Sequence, residues 1–200
     1  MVVQHIIGIT GYAQHGKDTA GQRLVARWGY RRYGFADQLR EMALRADPYV
    51  AVPVASSHQQ DAENVTFRRL AAVIATAGWE MAKTCPDVRR FLQVLGTDCV
   101  RDLLGEDAWA DALRLRIARD GWSGPIVVTD VRFPNEADWI EDVGGLIVRV
   151  IRPNFDSGVP STHASEKSID MIPVYAVLVN DGTIPDLWGQ VDQLVEENWP

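Results

Sequence analysis

The run Gly11-Tyr-Ala-Gln-His-Gly-Lys17-Asp18-Thr19 places two glycines with four residues between them, and a lysine directly after the second. That spacing suits a backbone that turns its N–H groups inward around a phosphate, with a cation beside it and the positive end of a following helix behind it. The chemistry it implies is the holding of a nucleoside triphosphate by its phosphates. A glycine turn with an incidental lysine is the competing reading, and the apolar Ile6-Ile7-Gly8-Ile9 before the loop and the helix-like run after it weigh against that. Asp18 stands where a hydroxyl residue usually follows the lysine. The hydroxyl expected near magnesium must therefore come from Thr19 or from elsewhere.

Other polar residues group at the ends of apolar segments. Asp37 and Arg40, Asp130 and Arg132, Arg152, and Asn180-Asp181-Gly182 each follow a short apolar stretch. In an open α/β sheet ligands bind outside the carboxyl ends of the strands, so these groups are expected to converge on the glycine loop. Asp130 closes Ile126-Val127-Val128-Thr129 and is placed to hold magnesium through water or to orient an acceptor. An ordinary capping aspartate is the alternative, and Arg132 shifts the balance, because a carboxylate and a guanidinium together suit a site for metal and phosphates. Arg90, Gln93, Thr97 and Arg101 recur at three- to four-residue spacing and are expected on one helix face, as phosphate ligands or as a solvated surface. His163 and Glu166 are candidate lid contacts or a surface cap. Trp109 is a candidate aromatic wall for a base, against the core role that tryptophans usually take.

The elements that must position these residues follow from pattern. Strands are expected at His5–Thr10, Arg32–Phe35, Pro125–Thr129, Leu146–Ile151 and Tyr175–Val179, continuous in apolar character and therefore covered on both faces. Helices are expected at Asp18–Trp28, Asp37–Ala46, Phe67–Lys83, Val88–Leu104, Ala108–Arg119, Asn135–Val143 and Pro185–Glu197, with Pro134 opening one and Gly144-Gly145 stopping it. Helices between short buried strands predict a doubly wound five-stranded parallel sheet. About half the chain lies between the second and third of these strands and reads as helix and polar loop. Residues 47–124 are expected to form a helical substrate-binding insertion, with a mobile surface loop over Asp47–Asn64. A second irregular stretch, 153–168, is expected to be a lid.

Two hundred residues with 46% hydrophobic content can bury a full core, and no composition shift separates two halves, so one domain is expected. A net charge of −7 disfavours a broad polynucleotide surface. Cys85 and Cys99 have no metal-ligand spacing, and neither a secretory signal nor an apolar run of membrane-spanning length is present, which predicts a cytosolic chain with reduced thiols. Both cysteines are expected as small buried hydrophobes rather than nucleophiles.

Taken together, these segments resemble the deoxynucleoside monophosphate kinases of bacteriophages, within the larger P-loop kinase group that includes dephospho-CoA kinase. The resemblance is carried by Gly16-Lys-Asp-Thr19, Arg89-Arg-Phe-Leu-Gln-Val-Leu-Gly-Thr-Asp98, Thr129-Asp-Val-Arg-Phe-Pro-Asn-Glu136, Val150-Ile-Arg-Pro153, His163-Ala-Ser-Glu166 and Asn180-Asp-Gly-Thr183. In this family an aspartate after the lysine is expected, with the next threonine taking the hydroxyl role. The resemblance implies an ATP and magnesium site at Gly11, Ala13, Gly16, Lys17, Asp18 and Thr19, with Arg152 reaching the phosphates and Asn180 and Asp181 beside the base. It implies an acceptor site of Asp37, Arg40, Arg90, Gln93, Gly96, Thr97, Trp109, Asp130, Arg132 and Glu136. Lys17, Asp130 and Arg132 would be the catalytic residues, with Thr19 and Asp130 toward magnesium. The implied activity is transfer of the γ-phosphoryl of ATP to a deoxynucleoside 5′-monophosphate, in a host cytoplasm, by a possible homodimer. Another small-metabolite kinase and a non-catalytic nucleotide switch are the rival readings.

Overall fold

The computed structural model describes residues 5–53, 65–155 and 168–199. Five parallel strands form the main sheet: β1 (Ile6–Thr10), β2 (Arg31–Tyr33), β5 (Ile126–Val131), β6 (Leu146–Ile151) and β7 (Ala176–Val179), in the order β2-β5-β1-β6-β7. All five residues of β1 are buried, as its central place requires. Its register sets Ile7 between Val127 and Leu146. The strands expected from apolar runs are therefore present, each within two residues of its predicted ends. One differs in kind. Between β1 and β5 the pairing steps from Gly8–Val128 to Thr10–Val131, one extra residue on β5, so the strand continues past Thr129 through a bulge that contains Asp130.

The helices of this part are α1 (Lys17–Trp28), α6 (Ala108–Asp120), α7 (Pro134–Asp142) and α8 (Ile184–Asn198). Helix α7 begins at Pro134 and stops where the Gly144 and Gly145 N–H groups close onto the carbonyls of Glu141 and Ile140, with Gly144 at φ 82°. Ile7, Ile9, Leu24, Val127, Val148, Val150, Leu187 and Val191 belong to one apolar cluster that holds α1 and α8 against the sheet. Each such fully buried aliphatic side chain contributes roughly 1.5–3 kcal/mol. Arg23 and Trp28 of α1 both hydrogen-bond Asp192 of α8, and the paired guanidinium holds that carboxyl below its ordinary range.

The chain divides into two compact units, Met1–Phe35 with Trp109–Pro200, and Ala36–Ala108. The second unit therefore begins within α2 (Phe35–Ala46) and leaves nearly all of α6 to the first, a different division from 47–124. It has its own cluster, Ala43, Val50, Leu70, Val73, Ala82, Cys85 and Val88. The expectation of helix and polar loop throughout this region is corrected by an antiparallel hairpin, β3 (Tyr49–Pro53) and β4 (Val65–Arg69), which pairs Tyr49 with Arg69 and Pro53 with Val65. Tyr49-Val-Ala-Val52 and Val65-Thr-Phe67 are rich in the β-branched and aromatic residues that favour a strand, so Phe67–Arg69 are strand rather than the first turn of a helix. Of the expected loop at 47–64, residues 54–64 lie outside the described residues.

Helix α3 (Leu70–Ala82) follows the hairpin and is kinked at Gly78, whose φ of 72° is left-handed. Helix α4 (Pro86–Gln93) runs into a π-helical segment, Val94–Arg101, and then the single turn α5 (Asp102–Leu104). Gly96 of the π segment lies against α2, where an added Cβ would meet Leu39 Cδ2 at 3.1 Å. Cys85 is buried as expected, but Cys99, carried by the π segment, is exposed.

Candidate active site

The loop between β1 and α1 is closed by contacts that only glycine permits. Gly11 has φ 137°, and a Cβ there would lie 2.4 Å from the backbone oxygen of Val150. Gly16 has φ 107°, and its Cβ would lie 2.7 Å from Asn180 Nδ2. Both glycines are thus required twice over, by backbone conformation and by close approach. Gly16 is the N-cap of α1 and offers no side-chain oxygen to the first helical N–H groups. Those donors point from the helix end into the loop, an arrangement that suits an anion. Lys17 Nζ donates to the Tyr12 carbonyl at 2.6 Å, which folds its ammonium over the same loop.

The loop is tied to the neighbouring strand ends. Arg152 N–H donates to His15 Nδ1 at 3.1 Å, and Asn180 Nδ2 donates to the His15 carbonyl at 2.9 Å. Burial holds the His15 imidazole below its ordinary range, and the charges of Lys17 and Arg152 add to the effect. Arg152, Pro153, Asn154, Phe155, Asn180, Asp181 and Gly182 line a cleft of about 400 Å³. Three of the residues expected beside the ATP phosphates and base, Arg152, Asn180 and Asp181, are thereby brought together. Phe155 is an addition that sequence reading missed. The Arg152 guanidinium stacks on it 4.3 Å from the ring centre, and His15 meets it edge-on at 6.2 Å. An aromatic residue three positions past a strand-end arginine was the available signal.

Asp130 sits on the β5 bulge, partly buried, and its Oδ1 accepts the Phe35 N–H at 2.9 Å. Gly34 makes room for it: a Cβ there would lie 2.8 Å from Asp130 Oδ2 and 3.0 Å from Arg32 Nη2. Gly21 of α1 likewise presses on Thr129, where a Cβ would lie 2.5 Å from Cγ2. That approach carries Thr19 and Asp130 to the same end of the sheet. Asp130 accepts the Phe35 N–H and has further partners of its own, while no described residue hydrogen-bonds the Thr19 hydroxyl. Oxygen donors of this kind suit a magnesium ion that keeps several of its waters.

Arg132 is exposed, two residues beyond Asp130. Glu136, expected at the acceptor, is instead 4% exposed, and its Oε2 accepts the backbone N–H groups of Arg132 (2.8 Å) and Phe133 (3.2 Å). It caps α7 and fixes the turn that carries Arg132. Trp109 is 7% exposed, which fits the core role better than an open wall.

In the second unit Arg40 lies over the Trp79 ring at 5.9 Å and 3.9 Å from Asp37 Oδ1, with its Nε buried and unbonded. Arg90 is 78% exposed, and its Nε is 3.8 Å from Asp87 Oδ1. Arg90 and Gln93 lie on α4, and Thr97 and Arg101 on the π-helical segment that continues it. From Val94 the chain is π-helical, a wider turn in which residues four apart still fall near one another around the axis. Gly96 is buried and Thr97 exposed. His163 and Glu166, with residues 156–167 of the stretch expected to be a lid, lie outside the described residues.

A five-stranded parallel sheet whose central strand leads through a glycine-lysine loop into the first helix is the fold of the P-loop kinases. A Thermus thermophilus protein, TT1252, shares this fold, with a TM-score of 0.52 and 19% identity over 98% of this chain and 99% of its own. Residues 47–191 match the family model for deoxynucleotide monophosphate kinase, and the chain belongs to that family. A relative from Acanthamoeba polyphaga mimivirus, named as a deoxynucleotide monophosphate kinase, is 30% identical over 96% of each chain. The deoxynucleoside-5′-monophosphate kinase of Escherichia phage T5 is 35% identical over 46% of this chain and 38% of its own. The deoxynucleotide monophosphate kinase of Enterobacteria phage T4 is 28% identical over 52% and 43%. No described helix is long and apolar enough to cross a membrane.

Proposed function

We propose that the protein transfers the γ-phosphoryl group of ATP to a deoxynucleoside 5′-monophosphate, giving a deoxynucleoside diphosphate and ADP. The observation that carries this reading is the phosphate loop, with Lys17 folded over it and Asp130 and Arg132 at the end of the adjoining strand, in a chain of this family. Phosphoryl transfer asks little covalent chemistry of a protein. It asks that donor and acceptor be aligned and their charge compensated.

Gly11, Ala13, Gly16 and Asp18 supply the turned backbone and first helical turn that receive the ATP phosphates, and Lys17 compensates their charge. Arg152 approaches from the next strand end, and Asn180, Asp181 and Phe155 take the base. Thr19 and Asp130 would hold magnesium, which when bound shields the donor phosphates. Arg132 meets acceptor phosphate, as do Arg40 and Arg90, with Asp37, Gln93, Gly96 and Thr97 contributing to acceptor binding. The acceptor phosphate, with a second pKa near about 6, is largely ionised at neutral pH, so no dedicated base is required. Glu136 acts on this chemistry only by shaping the Arg132 turn.

An ADP-release assay with dTMP, dGMP, dCMP and dAMP tests the reading. ADP formation that depends on one or more of these acceptors, with diphosphate product, is expected. Hydrolysis of ATP indifferent to acceptor, or full transfer by Lys17→Ala, overturns it.

A further inference from the structure

Tyr12 is the second residue of the phosphate loop, a position that asks only for a backbone able to turn; the loop's phosphate chemistry does not call for a phenol there. The two ends of this residue are held by different parts of the chain. Its carbonyl accepts from Lys17 Nζ at 2.6 Å, and its hydroxyl donates to Asp170 Oδ2, 158 residues away in sequence, also at 2.6 Å. The ring between them lies 5.5 Å from that of His15, tilted by 60°. A hydroxyl that donates to a carboxylate at this distance makes a stronger bond than a neutral pair does.

Asp170 stands on a firm support. It lies on a single 3₁₀ turn, Ile169–Met171, in which the Ile172 N–H closes onto the Ile169 carbonyl at 3.2 Å. Ile169 and Ile172 are buried and leave Asp170 exposed between them. Arg149 of β6 donates from Nη2 to the carbonyls of both Ile169 (2.8 Å) and Ile172 (2.7 Å). Arg149 is also the register partner of Thr10, the last residue of β1 before Gly11. The turn is therefore fastened to the strand residue that neighbours the start of the loop, and the Tyr12 hydroxyl joins the loop to that turn.

We infer that Tyr12 and Asp170 are positioning residues for Lys17: the tether fixes the first half of the loop, and with it the carbonyl that aims the Lys17 ammonium. The inference rests on the reading of this loop as the ATP phosphate site. An ammonium has three donors, so Lys17 keeps the Tyr12 carbonyl and still has N–H groups to offer to phosphate. Without the tether Tyr12 gains side-chain and backbone freedom, and the carbonyl that aims the ammonium shares in that freedom. A cation held in place before the nucleotide arrives gives up less freedom on binding, so the tether favours the bound state. Its effect falls on the outer phosphates, which the lysine of such a loop reaches.

Titration calorimetry of the full chain with magnesium and an ATP analogue carrying an imido β–γ bridge tests this, with Tyr12→Phe, Asp170→Ala and the double variant alongside. Phenylalanine removes only the hydroxyl and Asp170 is exposed, so both single variants are expected to melt as the parent does. Each is expected to bind the analogue about fivefold more weakly, the scale of one lost hydrogen bond, and the double variant no more weakly than either. Asp170→Asn keeps an acceptor oxygen for the phenol and should bind within about twofold of the parent. The loss should be smaller for ADP, which lacks the outermost phosphate. Parent-like affinity in both Tyr12→Phe and Asp170→Ala overturns the inference. So do losses that multiply in the double variant, a loss that Asp170→Asn shares in full, or an equal loss for ADP. Failure of the underlying reading shows instead in the parent chain, which then binds neither nucleotide.

Discussion

Asn180 Nδ2 donates to the backbone carbonyl of His15 at 2.9 Å, while the space around that amide is what forbids a side chain at Gly16. One hydrogen bond thus joins the turn after the last strand to the phosphate loop. Asn180→Ala is expected to raise the ATP KM about tenfold and leave the acceptor KM within about twofold, since a lost bond of this kind is worth roughly 1 kcal/mol or somewhat more. Steady-state kinetics with each substrate varied in turn checks it. An unchanged ATP KM would separate the turn from the donor site.

Gly11→Ala is expected to be severe. Its Cβ would lie 2.4 Å from the Val150 carbonyl oxygen on a backbone at φ 137°, so neither the loop nor β6 can yield cheaply. A loss of roughly 2–4 kcal/mol of stability is expected from the combined strain and overpacking. Urea unfolding measures it. A midpoint unchanged from the parent chain would mean that the loop relaxes freely.

The pH dependence of stability follows from His15. Its pKa in the folded chain is lowered from 6.5, first by burial and then by Lys17 and Arg152. Below about 6.5 the unfolded chain binds this proton more readily than the folded one, so stability falls as pH drops from about 6.5 toward the folded pKa. His15→Asn should flatten the Tm profile across that window. Asp192 behaves in the opposite range: its lowered carboxyl pKa gives stability that is present above about 3.8 and is lost as pH falls further. Asp192→Asn should therefore change Tm at neutral pH but not at strongly acid pH.

Glu136→Ala and Glu136→Gln should behave differently. The buried carboxylate accepts two backbone N–H groups of a partly buried turn, so alanine removes both bonds and is expected to cost about 1–3 kcal/mol. Glutamine keeps an acceptor oxygen and should restore most of that stability. If Glu136 touched the acceptor directly, Gln would depress turnover while stability stayed intact, and thermal melts alongside kinetics distinguish the two.

Arg132→Ala and Arg90→Ala are expected to raise the acceptor KM about tenfold or more, with ATP KM and Tm nearly unchanged, because both side chains are exposed. Equal acceptor KM values for parent and variants would remove both from the acceptor site.

The phosphate loop was legible because its determinants are local: two glycines, a lysine and a helix start are adjacent in sequence, and the loop's conformation follows from them. The five strands of the sheet were legible for a related reason, since a strand buried on both faces must be apolar throughout. The convergence of Arg152, Asn180 and Asp181 was likewise implied by the rule that parallel strands end on one side. The burial of Glu136 beneath the turn that carries Arg132 was not legible, because sequence gives the spacing of the two residues but not what packs over them. The burial of Trp109 was hidden for the same reason.

Short-range pattern in the chain was enough to set the phosphate chemistry, the parallel sheet and the side of the sheet on which the site forms. Other features came only with tertiary packing. The extra residue that aims Asp130 exists only in the pairing of β5 with β1, the hairpin only in the pairing of Tyr49–Pro53 with Val65–Arg69, and the exclusion of a side chain at Gly16 only in the approach of Asn180. Each depends on residues distant in the chain, whose contacts are fixed by packing and not by neighbours in sequence.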